Sequence, residues 1–294
     1  MSTKIEWTNK SWNPIVGCSK ISAGCKNCYA AEAASSPRLQ QFSQYQSVKD
    51  WDGTIEFVES QLNKPLTWRS PQKIFVCSMS DLFHENVEEE WLDRIFAIMA
   101  LCSRHTFQIL TKRPERMKEY FEHESRLTRI SYQIYEIQRK EREWSGKQIN
   151  FQHPLTFPLP NVWLGTSVEN QKAADDRIPL LLRTPAAVRF LSCEPLLEKV
   201  FLKPEWLGKL NWLIVGGESG TGARQCHLDW LRSIVTQCQT ANVAVFVKQL
   251  GSKPIDCNNY IIDVANNNFS LKLKDRKGGD ISEFPEDLQI REFP

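Results

Sequence analysis

Three cysteines near the start of the chain, Cys18, Cys25 and Cys28, have the residue type and spacing of metal ligands. They lie within eleven residues, and Gly17 and Gly24 each directly precede one of them. Three thiolates form an incomplete cage, because a structural zinc site normally takes four ligands. A four-iron cluster held by three cysteines instead leaves one iron open to another ligand. The loop therefore predicts a metal site with one vacant position.

The residues leave three interpretations of this loop. The three cysteines could belong to a zinc site completed by Cys77 or His84, or they could bind no metal. The favoured interpretation is a [4Fe-4S] cluster with one open iron, because the loop follows a short apolar stretch and Tyr29 directly follows the last cysteine.

The remaining six of the nine cysteines are scattered singly, mostly inside apolar runs, which indicates buried small hydrophobic residues in a reducing compartment. They are Cys77, Cys102, Cys193, Cys226, Cys238 and Cys257. The N-terminus lacks the apolar core of a signal peptide, and no stretch approaches the ~20 apolar residues of a membrane helix. We therefore expect a cytoplasmic protein that does not enter the membrane.

The bulk composition indicates a globular chain. Its 294 residues suit a single α/β barrel, and 41% are hydrophobic and 24% charged. Because 37 Lys and Arg are balanced by 35 Asp and Glu, nucleic-acid binding would require a local basic patch.

A repeating order of apolar strand, polar loop and helix begins near residue 73. After a first strand ending at Ile15-Val16, strands are predicted at 73–78, 107–110, 162–165, 188–191, 212–215 and 243–247. Helices are predicted at 88–102 and 228–241, and a third helix follows the strand at 162–165 and ends at Arg183. This repeat favours a partial or complete (β/α) barrel over residues 1–250, with a doubly wound open sheet as the alternative. A helical insertion at about 115–160 and a small C-terminal appendage at 251–294, with weak strands at 260–264 and 269–273, complete the predicted organisation.

The segment 125–147 is polar, helical and partly basic. It is either a solvated helix or a contact surface for nucleic acid or a partner protein. The second interpretation depends on basic residues interleaved with aromatic ones, namely Arg126, Arg129, Arg139, Lys140 and Arg142 with Tyr132, Tyr135 and Trp144.

Several motifs together resemble known families. The Cys-x2-Cys-Tyr ending in a loop after the first strand resembles the radical S-adenosylmethionine (radical SAM) superfamily, although six residues rather than the usual three separate the first two cysteines. The whole set is similar to a phage and bacterial three-cysteine-motif family without an assigned reaction. It comprises IEWTNKSWNPIVGCSKISAGCKNCYA, FVCSMSDLFH, LTKRPERM, WLGTSVEN, FLSCEPLL and IVGGESG.

The resemblance implies a barrel of radical SAM type that binds a [4Fe-4S] cluster and S-adenosylmethionine. Such an enzyme uses an electron donor to cleave S-adenosylmethionine into a 5′-deoxyadenosyl radical, which acts on a substrate. The phage setting and segment 125–147 favour a nucleic acid or nucleotide as that substrate. The rival hypothesis is a non-catalytic zinc- or Fe-S-stabilised binding module that acts with a partner protein in phage–host conflict.

The resemblance also implies roles for polar residues after the strands. Ser167 and Glu169 would bind the ribose hydroxyls, unless Ser167 or Asn170 simply caps the following helix. Gly216 and Gly217 would let the backbone approach the cofactor, unless they only form a turn, and Glu218 would face the cofactor's amine or the substrate.

Further candidates lie on the same predicted rim. Glu194, Glu218 and Lys112 are the catalytic candidates, and Tyr29, Ser78, Arg113 and Lys248 would contact cofactor or substrate; an isolated lysine there could also be a solvated charge. Cys193 is expected to be a buried thiol. Asp81 and His84 follow the predicted strand at 73–78, and the lone His84 is expected to be structural rather than catalytic.

Overall fold

A computed structural model describes residues 3, 5–146, 149, 151, 154–256 and 271–294. At residues 144–145 it describes the backbone only. Its described part is mixed α/β. The strands are β1 (Lys10–Trp12), β2 (Ile15–Val16), β3 (Glu56–Phe57), β4 (Lys73–Val76), β5 (Thr106–Thr111), β6 (Val162–Ser167), β7 (Val188–Cys193), β8 (Trp212–Gly216), β9 (Cys226–His227), β10 (Ala244–Gln249) and β11 (Pro254–Ile255).

Helices follow most of the longer strands. They are α1 (Tyr29–Ala34), α2 (Ser43–Gln46), α3 (Glu59–Leu62), α4 (Lys64–Thr67), α5 (Glu89–Leu101), α6 (Pro114–Glu122), α7 (Arg126–Ser145), α8 (Gln171–Arg183), α9 (Pro204–Leu207) and α10 (Leu228–Thr240). Short 3-10 turns occur at Ala23–Cys25, Ile281–Glu283 and Glu286–Leu288.

Among the described residues, the main sheet has seven strands in the order β1-β4-β5-β6-β7-β8-β10. Neighbouring strands pair in parallel, as in the registers Trp12↔Val76, Val76↔Ile109 and Cys193↔Val215. The continuous apolar runs form these strands because parallel strands are covered on both faces. The predicted α/β class is confirmed, and the strand order is compatible with a partial barrel.

The predicted first strand was wrong in its position. Ile15 and Val16 form β2, which pairs antiparallel with β3 in a separate two-stranded sheet, whereas β1 occupies the edge of the main sheet. The apolar pair gave the stronger sequence signal, but the more polar Lys10–Trp12 supplies the parallel partner of β4.

The chain divides into two compact units. The first comprises Met1–Ile21, Cys28–Leu164 and Arg183–Ala187. Within it, Trp12 packs on Phe107 with ring centroids 5.6 Å apart. A second apolar cluster includes Val16, Ala30 and Trp51, and Cys18 and Cys28 pack against it.

The second unit comprises Ser22–Asn27, Gly165–Leu182 and Val188–Pro294. Trp212 lies at its centre, with ring centroids 5.6 Å from Phe190 and 6.2 Å from Phe246. The C-terminal residues pack on β10, where Val247 donates a backbone hydrogen bond to Ile290 and Glu292 donates one to Val245. The predicted strand at 260–264 and most of that at 269–273 lie outside the described residues, and 271–273 are not in a strand.

No helix in the described ranges is long and apolar enough to cross a membrane.

Candidate metal-binding loop and polar strand ends

The three loop cysteines differ from the other described cysteines in exposure. Cys18, Cys25 and Cys28 are half-buried, whereas the five others that the structure describes, Cys77, Cys102, Cys193, Cys226 and Cys238, are buried. Burial raises the pKa of the Cys77 thiol to about 12. The buried five are therefore inert thiols, as expected from the sequence, and among the described cysteines the accessible ones are the three clustered in the loop.

Gly17 allows the chain to turn into this loop. It has φ +96°, and a Cβ at this position would lie 2.2 Å from the carbonyl oxygen of Thr54. Its N–H donates to the Met79 carbonyl over 3.0 Å. A glycine is required here because both the left-handed backbone and the close contact exclude a side chain.

The Cys18 sulfur contacts the guanidinium of Arg113, which directly precedes α6. Arg113 Nη1 donates to Cys18 Sγ over 3.7 Å, and Nη2 donates to Ser19 Oγ over 2.8 Å. Burial and the nearby Asp81 raise the pKa of Cys18 to about 11, although Arg113 opposes the shift. At neutral pH the Cys18 side chain is therefore a neutral thiol.

Asp81 and His84 hold this arrangement together. The Asp81 carboxylate accepts from Thr111 Oγ1 at 2.6 Å and from the Lys112 N–H at 2.9 Å. His84 is fully buried, its Nδ1 accepts from the Asn86 N–H, and its Nε2 lies 2.9 Å from Ser19 Oγ. Both residues thus have structural contacts.

Tyr29 and Ser78 are brought together within the first unit. The Tyr29 hydroxyl donates to the Ser78 carbonyl over 2.8 Å, while the Tyr29 side chain remains largely exposed. The Ser78 hydroxyl donates to the Asn13 side chain. These contacts fix the residue next to Cys28 at the end of β4.

Glu169 supports the segment that carries Cys25. Its carboxylate is buried, accepts from the Gly24 N–H over 3.4 Å and pairs with Arg177 over 2.7 Å. A Cβ on Gly24 would lie 3.1 Å from the Glu169 carboxyl carbon. Glu169, predicted to bind ribose, therefore packs directly against the loop glycine.

Glu218 supports the same segment from its other end. It accepts from Asn27 Nδ2 over 2.9 Å and from Arg224 Nε over 2.9 Å, and Arg224 Nη1 donates to the Ala23 carbonyl over 2.8 Å. Burial alone would raise the pKa of Glu218, but the hydrogen bonds from Arg224 and Asn27 outweigh it, so the pKa lies below its ordinary value.

Gly216 and Gly217 allow a close approach between neighbouring backbones. A Cβ on Gly216 would lie 2.9 Å from the Gln249 carbonyl oxygen, and one on Gly217 would lie 2.4 Å from that of Leu250. Glycine is therefore required at both positions because the end of β8 packs closely against β10 and against Leu250, which follows β10.

Glu194 and Lys248 form an ion pair at the carboxyl ends of β7 and β10. Lys248 Nζ donates to Glu194 Oε1 over 2.6 Å, and the two side chains retain 19% and 14% exposure. Lys112, in contrast, uses its backbone N–H, and its ammonium makes no hydrogen bond or ion pair among the described residues.

Asn170 caps the N-terminus of α8, which agrees with the alternative interpretation of the residues after β6. Its side-chain oxygen accepts from the Ala173 N–H over 2.8 Å at the start of α8. Ser167 is buried and its carbonyl accepts from Arg177 Nη1.

The basic residues of α7 are largely engaged. The Arg126 guanidinium stacks on Phe157 at 4.6 Å, Arg129 pairs with Asp93 at 2.8 Å, and Arg139 pairs with Glu136 at 2.8 Å. Tyr132 and Tyr135 are each 60% exposed, and Lys140 and Arg142 are also exposed. The side chain of Trp144 lies outside the described part.

In the ranges that the structure covers, no group of three or more His, Cys, Asp or Glu side chains is placed to hold a metal ion. The three loop thiols are each half-buried, and Cys18 accepts a hydrogen bond from a guanidinium. Cysteine thiolates are ligands that iron and zinc both accept, and metal binding is commonly coupled to local folding.

Sequence reasoning missed the partners of the loop. Arg177, Arg224 and Asn27 were not predicted as site residues. Arg177 contacts the Glu169 carboxylate, and Arg224 and Asn27 contact that of Glu218, both of which were predicted site residues. An arginine six or eight residues after a strand-end glutamate is the available signal, because it places a cation within reach of that carboxylate.

The fold and this loop define a mixed α/β protein with polar side chains after parallel strands and an accessible three-cysteine segment. The chain belongs to the DUF5131 family of proteins of unknown function, whose family model matches residues 2–278. Comparison with curated proteins and with solved structures gave no significant match.

Proposed function

We propose that this protein is a radical SAM-like iron-sulfur enzyme in which Cys18, Cys25 and Cys28 hold a [4Fe-4S] cluster. The observation that carries the proposal is the exposure contrast: the clustered cysteines are half-buried and the five other described ones are buried. With S-adenosylmethionine bound, such a cluster would supply one electron from an external donor for cleavage of the bond between sulfur and the 5′ carbon, which gives methionine and a 5′-deoxyadenosyl radical.

The chain's own residues would position that chemistry. Gly17 and Gly24 give the loop its path, and Glu169 and Glu218 fix the segment around Cys25. Glu194 and Lys248 present a half-buried charge pair at the strand ends, where parallel α/β folds bind ligands. We assign this pair to binding the substrate or the charged groups of S-adenosylmethionine.

The test is reductive cleavage of S-adenosylmethionine by the anaerobically reconstituted chain. Dithionite-reduced protein should release 5′-deoxyadenosine, and a variant with all three loop cysteines changed to Ala should not. Cys102→Ala is the matched control because that thiol is buried, and it should retain activity. Release by the triple variant at the wild-type rate would refute the proposal.

A nucleic acid or nucleotide is the proposed substrate class. Exposed Tyr132 and Tyr135 offer stacking surfaces, and Lys140 and Arg142 offer exposed charges on the same helix. Changing Lys140 and Arg142 to Gln should weaken binding of single-stranded DNA and reduce its salt dependence, whereas Arg139→Gln should have little effect because Arg139 is paired with Glu136 and Glu143. Unchanged binding in the double variant would exclude this helix as the contact.

A second candidate is a non-catalytic, metal-stabilised binding module that acts with a partner protein. The observation favouring it is that Glu169 and Glu218 are already engaged by Arg177 and Arg224. In that case one zinc per chain would replace iron, and no 5′-deoxyadenosine would form.

A further inference from the structure

The chain beyond residue 270 exposes a row of cations in the second unit. Between positions 271 and 276, half-buried and exposed residues alternate. The exposed residues are Lys272, Lys274 and Arg276, and the half-buried ones are Leu271, Leu273 and Asp275. The segment therefore turns its leucines toward the protein and its cations toward solvent.

Hydrogen bonds hold the backbone of this segment in place. The Leu271 N–H donates to the Pro254 carbonyl over 3.0 Å. The N–H groups of Lys274 and Asp275 donate to the two carboxylate oxygens of Glu283 over 2.7 and 2.9 Å. The main chain is thus already ordered, which reduces the entropy that a binding partner must offset.

The nearby carboxylates are engaged by main-chain groups rather than by these cations. Asp275 accepts from the N–H groups of Lys277 and Gly279 over 3.1 and 2.7 Å, and Asp280 accepts from the Ser282 N–H over 3.0 Å. Within the part of the chain that the structure describes, the side chains of the three cations form no hydrogen bond or ion pair. Their charges are therefore open to an external partner.

Two more exposed cations adjoin the row. Ser252 Oγ donates to the Arg276 carbonyl over 2.6 Å, which brings the loop that carries Lys253 to this segment, and Lys277 directly follows Arg276. We call these five side chains, Lys253, Lys272, Lys274, Arg276 and Lys277, the C-terminal basic patch. The patch concentrates positive charge on a chain whose total charge is nearly balanced.

A polyanion is the partner that this patch fits. Clustered Lys and Arg side chains bind the phosphates of nucleic acids and release their counterions. Residues 271–277 include no aromatic side chain that could stack on a base. Their two leucines are half-buried, so the segment lacks the exposed apolar face with which membrane-surface segments insert among lipids. These features favour the phosphate backbone of a nucleic acid over a lipid surface.

We infer that the C-terminal basic patch binds the phosphate backbone of a nucleic acid and does not read its bases. This site goes beyond the proposed function, because it requires neither a cluster nor the residues of α7. It gives the second unit a nucleic-acid contact of its own.

The test is the salt dependence of binding to a fluorescently labelled oligothymidylate, measured by anisotropy with the full chain. Changing Lys272, Lys274 and Arg276 together to Gln should weaken binding at low salt by ~10-fold or more. It should also lower the slope of log affinity against log salt by about 2, because each phosphate contact with a single strand contributes about 0.7. An oligodeoxyadenylate of the same length should bind with similar affinity.

The matched control removes the same charge from exposed lysines elsewhere in the second unit. It changes Lys172, Lys199 and Lys209 together to Gln and should leave the slope unchanged. An equal fall in the slope of this control would show an effect of net charge alone and would overturn the inference. A preference of more than about tenfold for one of the two oligonucleotides would also contradict it, because it would require contacts with the bases.

The remaining outcomes are equally decisive. An unchanged slope in the triple variant, or wild-type binding to phosphatidylserine vesicles but not to oligothymidylate, would overturn the inference. If circular dichroism shows that the triple variant does not fold, the three single variants decide: each should lower the slope by about 0.7, and three unchanged slopes would refute the patch. A chain that releases no 5′-deoxyadenosine but loses oligothymidylate binding in the triple variant would refute the proposed enzyme and support the patch.

Discussion

Asn27 and Glu218 lie 191 residues apart in sequence and are joined by a hydrogen bond of 2.9 Å from the Asn27 amide to the Glu218 carboxylate. Arg224 contacts the same carboxylate and also donates to the Ala23 carbonyl, so the six-residue segment around Cys25 is bound at two points. A carboxylate on a strand end of the second unit thus determines the path of the cysteine segment within that unit.

We therefore predict that Glu218→Gln destabilises the protein. The substitution leaves Arg224 without its charged partner, and we expect a loss of roughly 1–3 kcal/mol in the free energy of unfolding. Urea denaturation followed by circular dichroism measures it. Glu205→Gln is the control because Glu205 is exposed, and it should change stability by less than about 0.5 kcal/mol. Equal stability of both variants would show that the Glu218 contacts contribute nothing.

The same carboxylate predicts a pH dependence. Because the folded pKa of Glu218 lies below its ordinary value of 4.5, the unfolded chain binds the proton more readily. The stabilisation is fully present above pH 4.5 and is lost as the pH falls through the folded pKa. The stability difference between wild type and Glu218→Gln should therefore shrink below pH 4.5 in denaturation curves taken across that range. A difference that stays constant with pH would contradict the assignment.

Gly24→Ala should disturb Glu169 and with it the loop. The added Cβ would lie 3.1 Å from the Glu169 carboxyl carbon, so either the carboxylate or the loop must shift. We expect a loss of about 1–3 kcal/mol in the free energy of unfolding and less iron retained per chain after reconstitution. Gly208→Ala is the matched control, since its nearest neighbour would be at an ordinary 3.7 Å. Indistinguishable results for both variants would rule out tight packing at Gly24.

The ion pair between Glu194 and Lys248 predicts an effect on both stability and activity when the lysine charge is removed. Lys248→Met should cost roughly 1–2 kcal/mol of stability, because it leaves a half-buried carboxylate unpaired, and should reduce 5′-deoxyadenosine release. The exposed pair Lys172 and Asp176 provides the control, where Lys172→Met should have little effect.

The combined swap of Glu194→Lys and Lys248→Glu separates structure from function. It should recover stability because the attraction is restored, but not 5′-deoxyadenosine release, because both charges then occupy the wrong positions for a ligand. A swapped protein with full activity would show that the pair is only structural.

The longer strands of the main sheet could be predicted from the sequence to within two residues at most ends, because parallel strands buried on both faces appear as continuous apolar runs. The edge strand β1 could not, since Lys10–Trp12 carries only one fully buried side chain. The first strand of the main sheet was therefore predicted at the apolar Ile15-Val16, which instead pairs with β3.

The site could be predicted only in part. Spacing marks Cys18, Cys25 and Cys28 as candidates, since their signal is local in sequence, and their role as metal ligands stays a prediction. The contacts of Glu169 and Glu218 with the loop could not be predicted, because their partners there lie 145 and 191 residues away and only folding brings them together.

The most direct test of the central claim is the iron and acid-labile sulfide content of the chain reconstituted under anaerobic conditions, compared between wild type, Cys25→Ala and Cys238→Ala. We predict about four iron and four sulfide per chain in the wild type and in Cys238→Ala, whose thiol is buried, and a loss of most of both in Cys25→Ala. A colourless wild-type protein that contains one zinc per chain, or equal iron in Cys25→Ala, would contradict the claim.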